Sequence, residues 1–262
     1  MIAIIPAAGH GTRFLPVTRV VPKEMLPIGA KPALELIVDE ARRAGAHRIV
    51  IIISHEKEMI RTYFDGAPDI EFIYQEEQRG LGHAVLQAAD AIGVGVSEEM
   101  VLILLGDALV FGCDAASEMV ACSRQNGHSA VIGCEKVPRE KVSRYGILKL
   151  ENCRVVDMVE KPSVEEAPSD LAVAGRYFLP NAIFSYLRTQ TPGKGGEIQL
   201  TDAIRRMIAL PESAGGCRLV AYSYPGKRQD IGNPLGYYAA LSAYYEWMQS
   251  AQAGRSESYL QL

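Results

Sequence analysis

Ile2-Ala3-Ile4-Ile5-Pro6-Ala7-Ala8-Gly9-His10-Gly11-Thr12-Arg13 is the stretch whose reading decides the fold. Four apolar residues suited to a short buried strand break into a small turn that carries two glycines. Arg13 follows at once, and Lys23 stands a little further on in Pro22-Lys23-Glu24-Met25-Leu26-Pro27. Gly9 and Gly11 let the backbone approach a bulky ligand and aim several N–H groups at it. Arg13 and Lys23 add charge where amides alone are too weak, so a polyphosphate fits best. A plain strand–turn connection with incidental Arg and Lys is the plainer reading of the same residues. The loop is not a P-loop, because no Gly-Lys-Ser/Thr follows at the required spacing. It is not a dinucleotide fingerprint either, because Phe14-Leu15-Pro16 stands where a third glycine is needed. The prolines that follow also prevent a long helix from starting straight after the loop.

Outward from this loop, apolar runs alternate with helical patterns. Ile49–Ile53 and Val101–Leu105 read as strands buried on both faces. Between the first strand and Ile49, residues Leu34, Ile37, Val38 and Ala41 mark the apolar stripe of a helix that ends at Gly45. Further helices are expected near Glu56–Phe64 and Ala84–Ile92, with a strand at Ile70–Tyr74. This order predicts an α/β fold with a mixed, mostly parallel central sheet and helices on both faces. In the second half, short strands at Ser129–Cys134, Gly146–Leu150, Val155–Glu160 and Ala172–Phe178 extend the sheet, partly antiparallel. Helices are expected at Asp202–Leu210 and Leu235–Met248, with a strand at Leu219–Ser223 between them. Tyr237, Tyr238, Tyr244, Tyr245 and Trp247 on the last helix suit packing or a subunit contact, and the polar tail from Ala251 is expected to fray. The expected division is one domain over 1–262. It comprises a first half (1–128), a second half (129–233) and a C-terminal helix and tail (234–262).

The 262 residues are 48% apolar, enough to bury a full core, and carry a formal net charge of −4. A nucleic-acid binder would be basic, so that partner is not expected. An acidic chain that binds a polyanion concentrates its cations locally and adds a metal. The five cysteines are odd in number and no pair has Cys-x-x-Cys spacing, which speaks against a disulfide framework or a zinc site. Neither a leader pattern nor an apolar run of membrane-spanning length is visible, so the expected setting is the cytoplasm, away from the membrane.

Three further motifs carry polar chemistry. Gln75 and Gly80 stand in Gln75-Glu76-Glu77-Gln78-Arg79-Gly80-Leu81-Gly82-His83-Ala84, after a strand and at a helix start. A Gln amide offers a donor and an acceptor and can read the edge of a pyrimidine, although a polar loop with two glycines is an equally good reading. His83 alone reads as a helix-start or packing residue. Leu104-Leu105-Gly106-Asp107 sets a carboxylate at the end of a buried strand, suited to Mg²⁺ or to capping a turn. Val159-Glu160-Lys161-Pro162 offers an acceptor for sugar hydroxyls and a point charge for a phosphate, or simply a surface pair before a turn.

Gly9-His10-Gly11-Thr12-Arg13-Phe14-Leu15-Pro16 followed by Pro22-Lys23-Glu24-Met25-Leu26-Pro27 resembles the signature of the sugar-phosphate nucleotidylyltransferases. The Pro-Lys-Glu-Met form is most similar to the bacterial UTP–glucose-1-phosphate uridylyltransferases, since the thymidylyltransferase branch usually has Ser-Lys-Gln-Leu there. The resemblance recurs in Gly80-Leu81-Gly82-His83-Ala84, Gly106-Asp107, Arg144-Tyr145-Gly146, Glu160-Lys161, Ala172–Tyr177, Gly195–Asp202 and Lys227–Pro234, and it implies that 1–128 is the nucleotide-binding half and 129–233 the sugar-binding half. It implies a three-layer Rossmann-like (GT-A-like) nucleotidyltransferase fold and the reaction of UTP with glucose 1-phosphate to UDP-glucose and pyrophosphate. It also implies Mg²⁺ as cofactor and a homodimer or homotetramer.

By the same resemblance, Arg13, Lys23 and Lys161 are the catalytic cations. Ala8, Gly9, Gly11, Thr12, Gln75 and Gly80 hold the nucleotide. Gly146, Glu160, Gly175 and Glu197 hold the sugar, and Asp107 and Asp230 hold the metal. Two departures stand out. The chain is short between Phe64 and Gln75, and Arg19 replaces the usual Lys in Thr-Lys-Ala. The alternatives are a thymidylyltransferase or dual UTP/dTTP enzyme, and a non-catalytic sugar-nucleotide sensor. A sensor would be marked by loss of Asp107, Lys161 or Arg13, and all three are present.

Overall fold

The computed structural model describes residues 1–93 and 100–259, with side chains described to 250. Its main sheet has nine strands. In spatial order they are Ile70–Tyr74, Arg48–Ile53, Ile2–Pro6, Met100–Leu104, Leu171–Pro180, Ala130–Lys136, Leu219–Ser223, Arg154–Glu160 and Gly146–Glu151. The first four run parallel, with Ile4 opposite Val50 on one side and Ile103 on the other. Leu171–Pro180 then enters antiparallel between Met100–Leu104 and Ala130–Lys136, so parallel pairing prevails in the first half and the second half is mixed.

Alternate residues of the first strand leave the sheet on opposite faces, as a period of two requires. Ile2 and Ile4 join Val50, Ile52 and Ile103 against Val85, Phe184 and Ile204. Ala3 and Ile5 join Ile49, Ile51 and Leu104 against Leu34, Ile37, Met119 and Ala240. The continuous apolar run Ile49–Ile53 is accordingly wholly buried, and helices cover both faces of the sheet.

The helix with the Leu34, Ile37, Val38, Ala41 stripe spans Ala33–Arg43. The segment expected as a helix over Glu56–Phe64 is a 3₁₀ turn, His55–Lys57, followed by a short helix, Glu58–Tyr63. The expected Ala84–Ile92 helix begins earlier and is split into Leu81–Gln87 and Ala89–Ile92. The last helix runs Pro234–Tyr259, beyond the expected end at Met248, so chain expected to fray from Ala251 is helical to Tyr259. The remainder of that tail, 260–262, lies outside the described residues. Two helices the sequence reading did not name, Ala115–Gln125 and Ile183–Arg188, complete the outer layers.

One internal ion pair ties a helix to the sheet. Arg176 is fully buried and gives Glu40 two hydrogen bonds, 3.0 Å from Nε and 2.6 Å from Nη2. The chain runs from Ile2–Pro6 outward to Ile70–Tyr74 and then returns to Met100–Leu104 on the other side of the first strand. That reversal opens a crevice at the carboxyl ends of the strands, between Pro6 and Leu104, where open α/β sheets bind ligands.

Candidate active site

Two cavities open at this crevice. The larger, about 400 Å³, is walled by Ala7, Ala8, Gly9, Arg13, Lys23, Gln75, Gln78, Gly80, Asp107, Lys161 and Glu197, among others. The smaller, about 210 Å³, lies toward the second half of the sheet. Its walls include Arg144, Tyr145, Gly146, Glu160, Gly175, Thr201, Arg228 and Asp230. The cavities share Arg13, Leu81, Leu105 and Asp107, so a cation and a carboxylate stand where they meet.

Each wall residue has a local reason for its place. The prolines limit the segment after the loop to three one-turn 3₁₀ pieces, Thr12–Phe14, Val17–Arg19 and Lys23–Met25. Gly11 starts the first of them at φ 66°, a left-handed conformation that favours glycine. Gly11 and Thr12 themselves line neither cavity. Gly80, at φ 102°, is required by the protein itself: a Cβ there would sit 2.8 Å from Glu197 Cβ and from the Ile198 carbonyl oxygen. The close approach expected of a base at Gly80 is therefore made, on that side, by the Glu197–Ile198 segment.

The loop rests on a charged network in which Glu24 and Lys57 are buried, Lys23 nearly so, and Asp107 partly open to the cavities. Lys23 Nζ donates to Asp107 Oδ2 at 2.5 Å and lies 3.9 Å from Glu24. Lys57 Nζ donates to Glu24 at 2.8 Å and to the Ala7 main-chain oxygen at 2.6 Å. Burial works to push the Asp107 carboxyl up, but the Lys23 ammonium and its hydrogen bond outweigh it, so the carboxyl is held below its usual range. Burial likewise opposes charge on Lys23, and Asp107 and Glu24 together keep its pKa above the ordinary value. The deeper pair moves the other way: burial raises Glu24 and lowers Lys57 against their mutual attraction. Sequence reading missed Lys57, whose setting His55-Glu56-Lys57 looks like an exposed polar turn.

Asp230 reaches Asp107 through a small ribbon in which Lys227–Asp230 pairs with Ala108–Phe111, Asp230 opposite Ala108. The two carboxylates converge on one point: a Cβ on Gly232 would lie 2.8 Å from Asp230 Oδ1, 3.5 Å from Asp107 Oδ2 and 3.7 Å from Arg13 Nη1. Among the described residues no three His, Cys, Asp or Glu side chains gather into a metal cluster. Asp107 and Asp230 both line the smaller cavity, and two carboxylates so placed fit Mg²⁺, which is held by one or two such groups and completes its shell with phosphates and water.

Glu160 is positioned by Thr201, whose hydroxyl donates to Oε2 at 2.6 Å, and Lys161 Nζ lies 3.5 Å from Oε1. Lys161 adopts φ 45°, a conformation strained for a residue with a side chain, while its carbonyl accepts from Lys194 Nζ. Glu197 differs from expectation in its place. It walls the larger cavity with Lys161, and its neighbours Gln199 and Thr201 wall the smaller one. Glu197 Oε2 accepts from Gln199 at 2.8 Å, which turns it along its own segment. Arg228, stacked 5.1 Å from the Tyr145 ring centre and bonded to Glu135, lines the smaller cavity and is a residue that the sequence reading passed over.

Residues 2–246 match the nucleotidyl transferase family model. The UTP–glucose-1-phosphate uridylyltransferase of Staphylococcus haemolyticus is 41% identical, over 92% of this chain and 91% of that protein. The enzyme of the same name from Bacillus subtilis is 39% identical, over 90% and 87%. A crystal structure of UDP-glucose pyrophosphorylase complexed with UDP-glucose superposes with a TM-score of 0.83 at 36% identity, covering 94% of this chain and 98% of that one.

Proposed function

This chain belongs to the nucleotidyl transferase family, and on that premise we propose that it joins UTP and α-D-glucose 1-phosphate, giving UDP-glucose and pyrophosphate. The observation that carries the reading is the pair of cavities meeting at Arg13 and Asp107. The larger takes the nucleotide and the smaller takes the hexose. The sugar phosphate already carries the attacking oxygen, ionised, so the protein needs no side-chain nucleophile. What it must overcome is repulsion between two anions, and it does so by positioning and by placing cations around both.

Lys161, at the end of the Arg154–Glu160 strand, holds the attacking phosphate in line with the α-phosphorus. Arg13 and Lys23 bind the triphosphate and the departing pyrophosphate, and Lys23 also keeps Asp107 ionised. Glu160, fixed by Thr201, accepts from hexose hydroxyls, with Gly146 and Gly175 on the same wall. Ala8 and Gly9 face the phosphates, and Gln75 reads the base. Asp107 and Asp230 would hold a divalent cation, Mg²⁺ by the match of hard oxygen ligands, which when bound neutralises charge between the two substrates. The five free thiols support a reducing compartment, the cytoplasm, and among the described residues no helix is long and apolar enough to cross a membrane. Exposed Leu235, Tyr238 and Tyr245, on one side of the last helix, support an assembly of two or four copies.

The assignment of the two ends of the reaction is tested by paired variants. Lys161→Ala is expected to raise the KM for glucose 1-phosphate at least about tenfold, as loss of a charge-assisted contact should, with UTP binding by calorimetry little changed. Arg13→Ala is expected to do the reverse. Equal loss of UTP binding in both variants would take Lys161 out of the sugar-phosphate role.

A further inference from the structure

Gln75 follows the Ile70–Tyr74 strand, 5% exposed, on the wall of the larger cavity. Its amide nitrogen lies 3.0 Å from Nδ1 of His83 and 3.5 Å from the Gly80 main-chain oxygen. A carbonyl oxygen can only accept, so the amide must turn its NH₂ to that side. Nδ1 of His83 is then the acceptor for the other hydrogen, and the ring proton is on Nε2. Both amide hydrogens are engaged by the protein. Oε1, which accepts no hydrogen bond from the described residues, is the atom left for a ligand.

We propose that His83 is a specificity-determining positioning residue: by holding the Gln75 amide nitrogen it leaves only an acceptor to face the base, so the cavity selects a ring N–H. Uracil and thymine carry that N–H at N3, and cytosine has a lone pair at the same place. An N–H donor at the position of Nδ1 would attract Oε1 instead, turn the amide over and present NH₂ to the base, the pattern that suits cytosine. The inference rests on Gln75 as the base-reading residue and names what sets its orientation.

The surroundings of His83 favour the neutral ring. The Gln87 amide nitrogen, 3.3 Å from Nε2, donates to the His83 main-chain oxygen at 3.1 Å, and with the proton on Nε2 its contact with the ring is not a hydrogen bond. Burial and the Arg79 charge push the imidazole below its ordinary pKa, against a smaller upward pull from the Glu77 main chain and carboxylate. A neutral ring with one free lone pair is the form that can accept. Gly82 and Ala84 on either side are buried, so the ring is presented from a fixed stretch of the Leu81–Gln87 helix.

The test is the ratio of kcat/KM for UTP over CTP, with glucose 1-phosphate, in the wild type, His83→Phe, His83→Asn and Gln75→Ala. His83→Phe keeps a ring and removes the acceptor, and is expected to lower the ratio about tenfold, the order set by one mispaired hydrogen bond. The loss should fall on the KM for UTP more than on kcat, with the KM for glucose 1-phosphate unchanged. His83→Asn, whose Oδ1 can stand near the place of Nδ1, is expected to restore most of the ratio. Each ratio is taken within one variant, so a partly unfolded preparation cancels. If His83→Phe does not turn over, the calorimetric Kd values for UTP and CTP supply the same ratio. A wild-type ratio in His83→Phe, with the ratio lost in Gln75→Ala, would overturn the role of His83 and leave Gln75 as the base reader. A wild-type ratio in Gln75→Ala would remove both.

Discussion

Asp107→Asn is expected to lower kcat about 10²–10³-fold, the usual cost of losing one group that stabilises charge in the transition state. The substitution keeps the shape of the side chain and removes its charge. It touches three things at once: the carboxylate pair with Asp230 proposed to hold the metal, the partner of Lys23, and the junction of the two cavities. Lys23 keeps Glu24 at 3.9 Å, so its ammonium is not left alone and the chain should still fold, as far-ultraviolet circular dichroism would report. Near-normal turnover that still requires Mg²⁺ would show that Asp107 does not hold the cation.

Glu40→Ala is expected to cost about 3–5 kcal/mol of stability, because it leaves the guanidinium of Arg176 buried without its carboxylate. For a chain of this size that corresponds to a fall in Tm of roughly 10 °C. The pair fastens the Ala33–Arg43 helix to the Leu171–Pro180 strand, and Gly175 on that strand walls the smaller cavity. The double variant Glu40→Leu, Arg176→Met is expected to recover most of the loss, since apolar replacement of a buried pair is often neutral. A Tm within a degree or two of wild type in Glu40→Ala would mean that solvent reaches Arg176. Arg176 Nη1 and the Tyr224 hydroxyl are buried without a hydrogen-bond partner among the described residues, and a neutral hydroxyl would not replace the lost carboxylate charge.

The contrast between these two sites shows what a sequence discloses. Asp107 was legible because it ends an apolar run, and the position of a strand end follows from the run alone. The same holds for Gln75 after Ile70–Tyr74 and for the loop after Ile2–Ile5. Arg176 and Glu40 are separated by 136 positions, and an Arg inside a strand gives no sign that its partner is a helical Glu. Lys57 was illegible for a related reason: only the path of the chain brings it beneath Ala7. The ribbon that delivers Asp230 is polar along its length, Lys227-Arg228-Gln229-Asp230, so no hydrophobic alternation marks it as a strand. The resemblance supplied Asp230, and the pairing with Ala108–Phe111 supplies the reason. Gly80 was legible as a glycine with a purpose, but which neighbour demands it, the Glu197–Ile198 segment, is a tertiary fact.

The central claim is uridylyl transfer to glucose 1-phosphate, and kcat/KM for pyrophosphate release across UTP, dTTP, CTP, ATP and GTP tests it most directly. Reading of a pyrimidine edge by Gln75 predicts UTP at least about tenfold ahead of CTP, ATP and GTP, since a mispaired buried amide costs roughly 1–3 kcal/mol. The margin over dTTP should be narrower, because uracil and thymine share that edge. Faster turnover of CTP or of a purine nucleotide would contradict the account.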